Sequence, residues 1–475
     1  MIRSVALGVL GVLGFRLSLV WFRVCSGYFP SAAILPLPLL LSCVIWLVFV
    51  RLHQVCTGQK IAVPQELRAD GRFLRVFFWG LIAGLALYFV AVVTGSRASV
   101  SRWLLVAFWL VCSNVACLTA QYALQATRLC DVINRRWQLR LMAGGIGLIG
   151  CVLLLMCAEL VSGFLVARQP PGPRKVYLGN YLDSGALFRS DAVLGIALEP
   201  LRNVSCRLEV DERQVWDVRY TSDQYGRRRT LFPDTRVPRA TAVFFGCSFL
   251  FGEGSNDDET IPSRFCKAQP DFVAVNYGVP GWGTQHMLAL LQSQMLKSHV
   301  VAPVRLGIYL YLPEVHEARV VGDMDIINGF GAGFPCFELD SAGQLARLGT
   351  FASARPLTVA LYGLLGKSST RAFLGLNFPR RSVQHYLLTA AIIERSKELF
   401  LTQFPDSRFL VVAYPDPDPE TVTLKTVRAK GLEVLNLADL FDPSDPHFQH
   451  VGDGHPTPAA NAAVATAIAQ HLQNP

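Results

Sequence analysis

Three short stretches of this 475-residue sequence carry residue types that can do chemistry together. The first is Gly246-Cys247-Ser248-Phe249-Leu250-Phe251-Gly252-Glu253-Gly254, directly after an apolar run that ends at Phe245. A serine at the carboxyl edge of a buried strand, beside glycines that permit tight turns, can meet a substrate and use nearby N–H groups against a developing oxyanion. The second is Asn276-Tyr277-Gly278-Val279-Pro280-Gly281-Trp282-Gly283-Thr284, where glycine-rich backbone again follows a strand-like run. It lacks the lysine of a phosphate loop. The third is Asp453-Gly454-His455-Pro456, just before a helix-like stretch near the C-terminus. A neutral imidazole beside a serine takes its proton during attack and returns it to the leaving group, while a carboxylate orients the ring. Each stretch also has a plain structural reading: a glycine turn with an incidental serine, a loop, and an Asp-Gly turn with a surface histidine.

Their order in the chain adds to this. Gly-x-Ser after one strand, Asn-x-Gly-x-x-Gly after the next and Asp-x-His before the last helix resemble the SGNH/GDSL hydrolase superfamily, from about Thr241 to Leu472. The resemblance implies that Ser248 is the nucleophile, with the Ser248 and Gly281 backbone N–H groups as oxyanion donors, His455 as base and Asp453 as its orienting acid. It departs from the family in three places. The family's Gly-Asp-Ser is Gly246-Cys247-Ser248, its Asp-x-x-His is shortened to Asp453-Gly454-His455, and no asparagine stands in Leu312-Pro313-Glu314-Val315-His316. His316 has two readings, a substitute hydrogen-bond donor and a loop histidine paired with Glu314 or Glu317. His286 is read as packing at a helix N-terminus. Cys247, next to Ser248, is expected to point away from the site. The resemblance implies a serine esterase or deacylase acting on acylated glycans or lipids through an acyl-serine. Two alternatives stay open: an O-acyltransferase that modifies an envelope polysaccharide with the same residues, and a degenerate binding or assembly module for envelope-polymer partners. No cofactor and no metal is expected.

Placing these residues needs strands and helices that alternate. Thr241–Phe245, Val273–Asn276, Arg305–Leu310, Phe409–Ala413 and Leu432–Asn436 read as buried strands, and Gln285–Lys297, Val383–Phe404 and Pro458–Leu472 as helices between them. That alternation predicts an α/β domain with a central parallel sheet covered on both faces, three-layer and flavodoxin-like under the resemblance. It is expected to occupy residues 240–475. Residues 168–239 read as a proline-rich linker and a small β-rich lead-in, with Arg227-Arg228-Arg229 expected to be a solvated surface run.

Residues 1–167 read as a transmembrane region of five helices. Ala33–Val50, Val76–Thr94, Trp103–Leu124 and Leu141–Ala158 run without a charge for about the 18 or more residues that a crossing helix needs. Ser4–Phe22 is a fifth span interrupted by Arg16, or in the rival reading a cleaved signal peptide. Up to Arg168 there are 15 Lys+Arg and 4 Asp+Glu, which leaves 44 − 15 = 29 and 35 − 4 = 31 for the remainder. The net charge of +9 therefore belongs to the membrane part and argues against nucleic acid as a partner. Arg51, Lys60, Arg68, Arg72 and Arg75 share one loop, and Arg128, Arg135, Arg136 and Arg140 another, while the alternate loops hold only Arg23 and then Arg97 with Arg102. The positive-inside rule then predicts a multi-pass protein of the cytoplasmic membrane with its C-terminal domain on the extracytoplasmic, periplasmic side. Of the 12 cysteines, Cys206, Cys247, Cys266 and Cys336 follow the spans, at spacings that match no zinc pattern and admit at most one disulfide.

Overall fold

The computed structural model describes residues 158–159, 161–170, 172–232, 239–300, 303–416 and 420–473. The chain divides after Ser162, and Gly163–Pro475 forms a compact unit of its own. The expected spans, all but Ala158, lie outside the described residues. Among the described residues no helix is long and apolar enough to cross a membrane.

The lead-in is antiparallel. Strands β1 (Lys175–Gly179), β4 (Asn203–Val210) and β5 (Arg213–Thr221) form one sheet in the order β1-β4-β5, and β2 (Phe188–Asp191) pairs with β3 (Gly195–Leu198) as a hairpin. In β5, Trp216, Val218 and Tyr220 alternate inward while Asp217 and Arg219 face water, the period of a sheet buried on one side.

The central sheet comprises β6 (Ala240–Gly246), β7 (Phe272–Gly278), β8 (Val304–Tyr311), β11 (Arg408–Ala413) and β12 (Glu433–Asn436). A separate two-stranded sheet pairs β9 (Pro335–Leu339) with β10 (Leu345–Thr350). The five central strands are all parallel and lie in the order β12-β11-β8-β6-β7. They match the five expected apolar runs closely because both faces of the sheet are covered. In β6, Val243 and Phe245 enter a core with α3 (Thr284–Gln292), α5 (Val383–Gln403) and α6 (Val422–Ala429), while Ala242 and Phe244 enter one with α2 (Ile261–Ala268) and α7 (Pro458–Gln473). A continuous hydrophobic run, not an alternating one, is what such two-sided burial selects.

The connection after β6 leads to β7 on one side, and the connection after β8 leads to β11 on the other. The sheet therefore reverses direction between β6 and β8, the point at which the carboxyl ends of parallel strands leave a crevice.

Two expectations are corrected. The single helix expected over Gln285–Lys297 is two, because Gln294 adopts a left-handed φ of 57° between α3 and a five-residue helix at Met295–His299. Of the Arg227-Arg228-Arg229 run only Arg229 is exposed. Arg227 is 9% and Arg228 1% exposed. Arg228 pairs with Asp257 at 2.9 Å, donates to the Ser255 carbonyl at 3.0 Å and lies against the rings of Tyr220 and Phe251. Charged side chains are buried in this way only when paired.

Candidate active site

Ser248 follows the C-terminal end of β6 as the first residue of α1 (Ser248–Phe251) and is 5% exposed. The first turn of a helix leaves its N–H groups without helical partners, so the Ser248 amide is a donor at the sheet edge. The turn is held close to β7: a Cβ on Gly278 would lie 2.4 Å from the Phe251 nitrogen, so only glycine fits there. Asn276 ties the two segments, donating to the Leu250 carbonyl at 2.9 Å and accepting from the Gly278 N–H at 2.8 Å. The side chain of Cys247 is buried in the core on the α2 and α7 face, one residue from Ser248.

Asp453 and His455 meet side by side. Gly454 between them has φ +94°, a left-handed conformation. Asp453 Oδ2 lies 2.8 Å from His455 Nδ1. The lead-in sheet supplies the rest of the carboxylate's partners. Trp216 of β5 donates its Nε1–H to Oδ2 at 3.2 Å, and Lys175 of β1 places its Nζ 3.3 Å from Oδ1 and 3.0 Å from the Asp453 carbonyl. Burial opposes the charge of Asp453, yet the His455 hydrogen bond and charge, with Trp216 and Lys175, hold the carboxyl down to about 2.

The other ring nitrogen of His455 faces Glu253, whose Oε2 lies 3.4 Å from Nε2. No hydrogen bond joins His455 to Ser248. The two are neighbours through Phe249, whose ring centroid is 5.6 Å from the imidazole, and Glu253 itself donates its N–H to the Ser248 carbonyl at 3.1 Å. Burial pushes the Glu253 carboxyl up, against the pull of His455 and a hydrogen bond from Tyr181. Burial alone would lower the His455 value, but Glu253 and then Asp453 outweigh it and raise it.

Gly281 lies in the β7–α3 loop with φ +88°, and its N–H has no partner among the described residues. His316, in α4 (Val315–Val321), is fully buried and stacks on Tyr309. Its Nδ1 lies 2.6 Å from the Tyr309 hydroxyl and accepts from the Leu312 N–H at 3.3 Å, so the proton resides on Nε2, which is buried with no partner among the described residues. Burial holds the ring neutral. Glu314 and Glu317 do not pair with it. Glu314 meets Arg381 and Tyr386, and Glu317 meets Tyr311 and Thr423. His286 caps α3, accepting from the Gly283 N–H at 2.9 Å, with burial pushing it down to about 3.

A cleft of about 160 Å³ opens at the reversal of the sheet. Phe249 follows β6, Leu312, Pro313 and Val315 follow β8, Tyr414 follows β11, and Gly454 comes from the His455 loop. Such a mouth takes an apolar group beside Phe249 and Gly454, the chain neighbours of Ser248 and His455. Glu253, Lys175, Trp216 and Tyr181 were not legible as site residues, since their approach depends on how the lead-in docks. The alternation of Trp216 and Tyr220 in β5 was the only trace of it. Cys206, Cys247, Cys266 and Cys336 are all free and buried, and among the described residues no cluster of metal-binding side chains occurs.

No family model matches this sequence, and no curated protein matches it. Several solved structures align with it. A protein described as lipolytic and of the G-D-S-L family, from Desulfitobacterium hafniense, is 11% identical over 49% of this chain and 98% of its own, with a TM-score of 0.28. An acetyl xylan esterase from Butyrivibrio proteoclasticus is 12% identical over 57% of this chain and 73% of its own, at a TM-score of 0.29. A family two carbohydrate esterase from Cellvibrio japonicus is 10% identical over 64% and 98%, at a TM-score of 0.28.

Proposed function

We propose that this protein is a serine esterase or deacylase that works on acylated glycans or lipids outside the cytoplasmic membrane, through an acyl group carried on Ser248. One observation carries the reading: Ser248 at the carboxyl end of β6 and a hydrogen-bonded His455–Asp453 pair lie on either side of Phe249, and their chain neighbours Phe249 and Gly454 line the crevice at the reversal of a parallel sheet.

In the first step the Ser248 Oγ–H proton passes to His455 Nε2 as the oxygen attacks the acyl carbonyl. The Ser248 and Gly281 N–H groups face the oxyanion, and His455 returns the proton to the departing alcohol. Water then repeats the sequence on the acyl-serine, releasing the acid. Asp453, kept ionised well below neutral pH, steadies the imidazolium formed in each half. A sugar hydroxyl in place of water would give an O-acyltransferase with the same residues.

Two measurements test this. A fluorophosphonate probe is expected to label the intact chain at Ser248 and to leave Ser248→Ala unlabelled. No labelling, or equal labelling of the variant, identifies the domain as a binding module. Incubation with an acyl-donor ester, with and without glycan, is expected to release free acid in both cases. Acyl-glycan formed at the expense of free acid identifies the transferase.

A further inference from the structure

Glu253 occupies the nitrogen that catalysis needs. A general base must present an unprotonated Nε2 to the Ser248 hydroxyl, yet Nε2 of His455 lies 3.4 Å from Glu253 Oε2 while Nδ1 lies 2.8 Å from Asp453 Oδ2. With both carboxyls ionised, the imidazole satisfies the two only as the imidazolium, a donor at both ends. In that form it cannot take a proton from serine.

The arrangement around Glu253 is built. Its side chain is 8% exposed and its carboxyl receives a hydrogen bond from Tyr181. The turn that carries it is fastened on three sides. The Gly254 N–H donates to the Tyr220 hydroxyl at 3.0 Å, the Gly254 carbonyl lies 3.2 Å from His450 Nε2, and Asn461 donates to the Ser255 hydroxyl at 3.0 Å. Tyr181 and Tyr220 belong to the lead-in, and His450 to the loop that bears His455. Glu253 is therefore held against the imidazole by elements on either side of it.

We infer that Glu253 is a positioning residue which parks the Nε2 of His455 away from Ser248 and so sets the pH above which the base is available. This deepens the esterase reading and rests on it. The charged and titratable groups that face the pair are Asp453, Lys175, Tyr177, Tyr181, Cys206, Tyr220 and His450, with burial raising the Cys206 thiol so that it stays neutral. The tyrosines are neutral, because burial raises each of them. His450 is lowered by its burial. Among these groups Asp453, held low, is the anion and Lys175, bound to it, the compensating cation, while burial raises the Glu253 carboxyl against the pull of His455. Glu253 is thus the carboxyl whose removal leaves the Asp453–His455 hydrogen bond intact.

In the Glu253→Gln chain the imidazolium loses one of its two carboxylates. The proton leaves His455 at lower pH, and Nε2 is free for Ser248 over a wider range. The second-order rate of fluorophosphonate labelling at Ser248, measured against pH on the full-length protein, is expected to keep its plateau in Glu253→Gln. Its acid limb is expected to move down by roughly one pH unit, a tenfold gain in rate on the limb. Glu253→Asp, which keeps the charge, is expected to keep the wild-type limb. An unmoved limb in Glu253→Gln, or an equal movement in both variants, overturns the inference. A second measurement needs no activity and no variant. With 13C-labelled histidine in the wild-type chain, His455 is expected to titrate above the ordinary value of about 6.5. A midpoint at or below that value overturns the inference even where labelling is absent, and absent labelling with a raised midpoint overturns only the esterase reading.

Discussion

Asp453 accepts from three donors at once: the His455 ring, the Trp216 indole and the Lys175 ammonium. Replacing it by asparagine keeps the shape but presents an amide that can hold the imidazole in the wrong tautomer. Asp453→Asn is therefore expected to lower kcat by roughly 10⁴-fold with KM little changed, measured on any ester the wild-type chain turns over. The same carboxyl contributes to stability with a definite sign. Its folded value is depressed to about 2, so its contribution is present above the ordinary carboxylate value and is lost as pH falls toward 2. Asp453→Asn should abolish this acid-labile increment, about 2 kcal/mol on the linkage relation, visible as a flatter melting temperature between pH 5 and pH 3 (roughly the window of that titration). Ser248, Asp453 and His455 were legible in the sequence because glycines at strand ends and an Asp-Gly-His turn are local patterns. Glu253 stood in view beside Gly252 and Gly254, but nothing local says that its carboxyl turns toward a histidine some 200 positions away.

Strands of the central sheet could be read almost to the residue, since burial on both faces leaves an unbroken apolar run such as Ala242-Val243-Phe244-Phe245. The lead-in could be read only as β-rich, because its contribution to the site comes from docking. Arg228 shows why. Three arginines in a row look solvated, and only the fold brings Asp257, Tyr220 and Phe251 around the middle one. Its guanidinium joins the lead-in to the segment after α1, next to the turn that carries Glu253. Arg228→Met keeps much of the stem and removes the charge, leaving Asp257 with its Thr221 contacts. Breaking a buried pair from one side typically costs about 3–5 kcal/mol. Since Asp257 retains 15% side-chain exposure, the lower end applies, about 3 kcal/mol. Thermal unfolding of the full-length chain in detergent should show a lower midpoint, and labelling at Ser248 should weaken with it. An unchanged midpoint would mean that Arg228 faces water.

At the scale of the whole chain, the charge is divided and not diffuse. The segment up to Arg168 carries 15 basic against 4 acidic residues, whereas the remainder carries 29 against 31. Within the first segment the arginines and lysines concentrate at residues 51–75 and 125–140, between the apolar stretches of the sequence. If the apolar stretches cross a membrane, the positive-inside rule predicts that those two basic stretches are cytoplasmic and that the chain after Ala167 lies on the opposite face. This placement does not depend on how Ser4–Phe22 is read. If it is a span, five crossings from a cytoplasmic N-terminus end outside. If it is a signal peptide and is removed, four crossings from an outside N-terminus end outside as well. The parity is the same because the segment's removal also inverts the starting side. Alkaline phosphatase fused after Pro475 is therefore expected to be active and green fluorescent protein fused there dark, with the opposite pair of results for fusions in the loop around Arg135. A dark phosphatase and a bright fluorescent protein at the C-terminus would place Ser248 in the cytoplasm, and the substrate would then have to be sought among soluble esters, not envelope glycans or lipids.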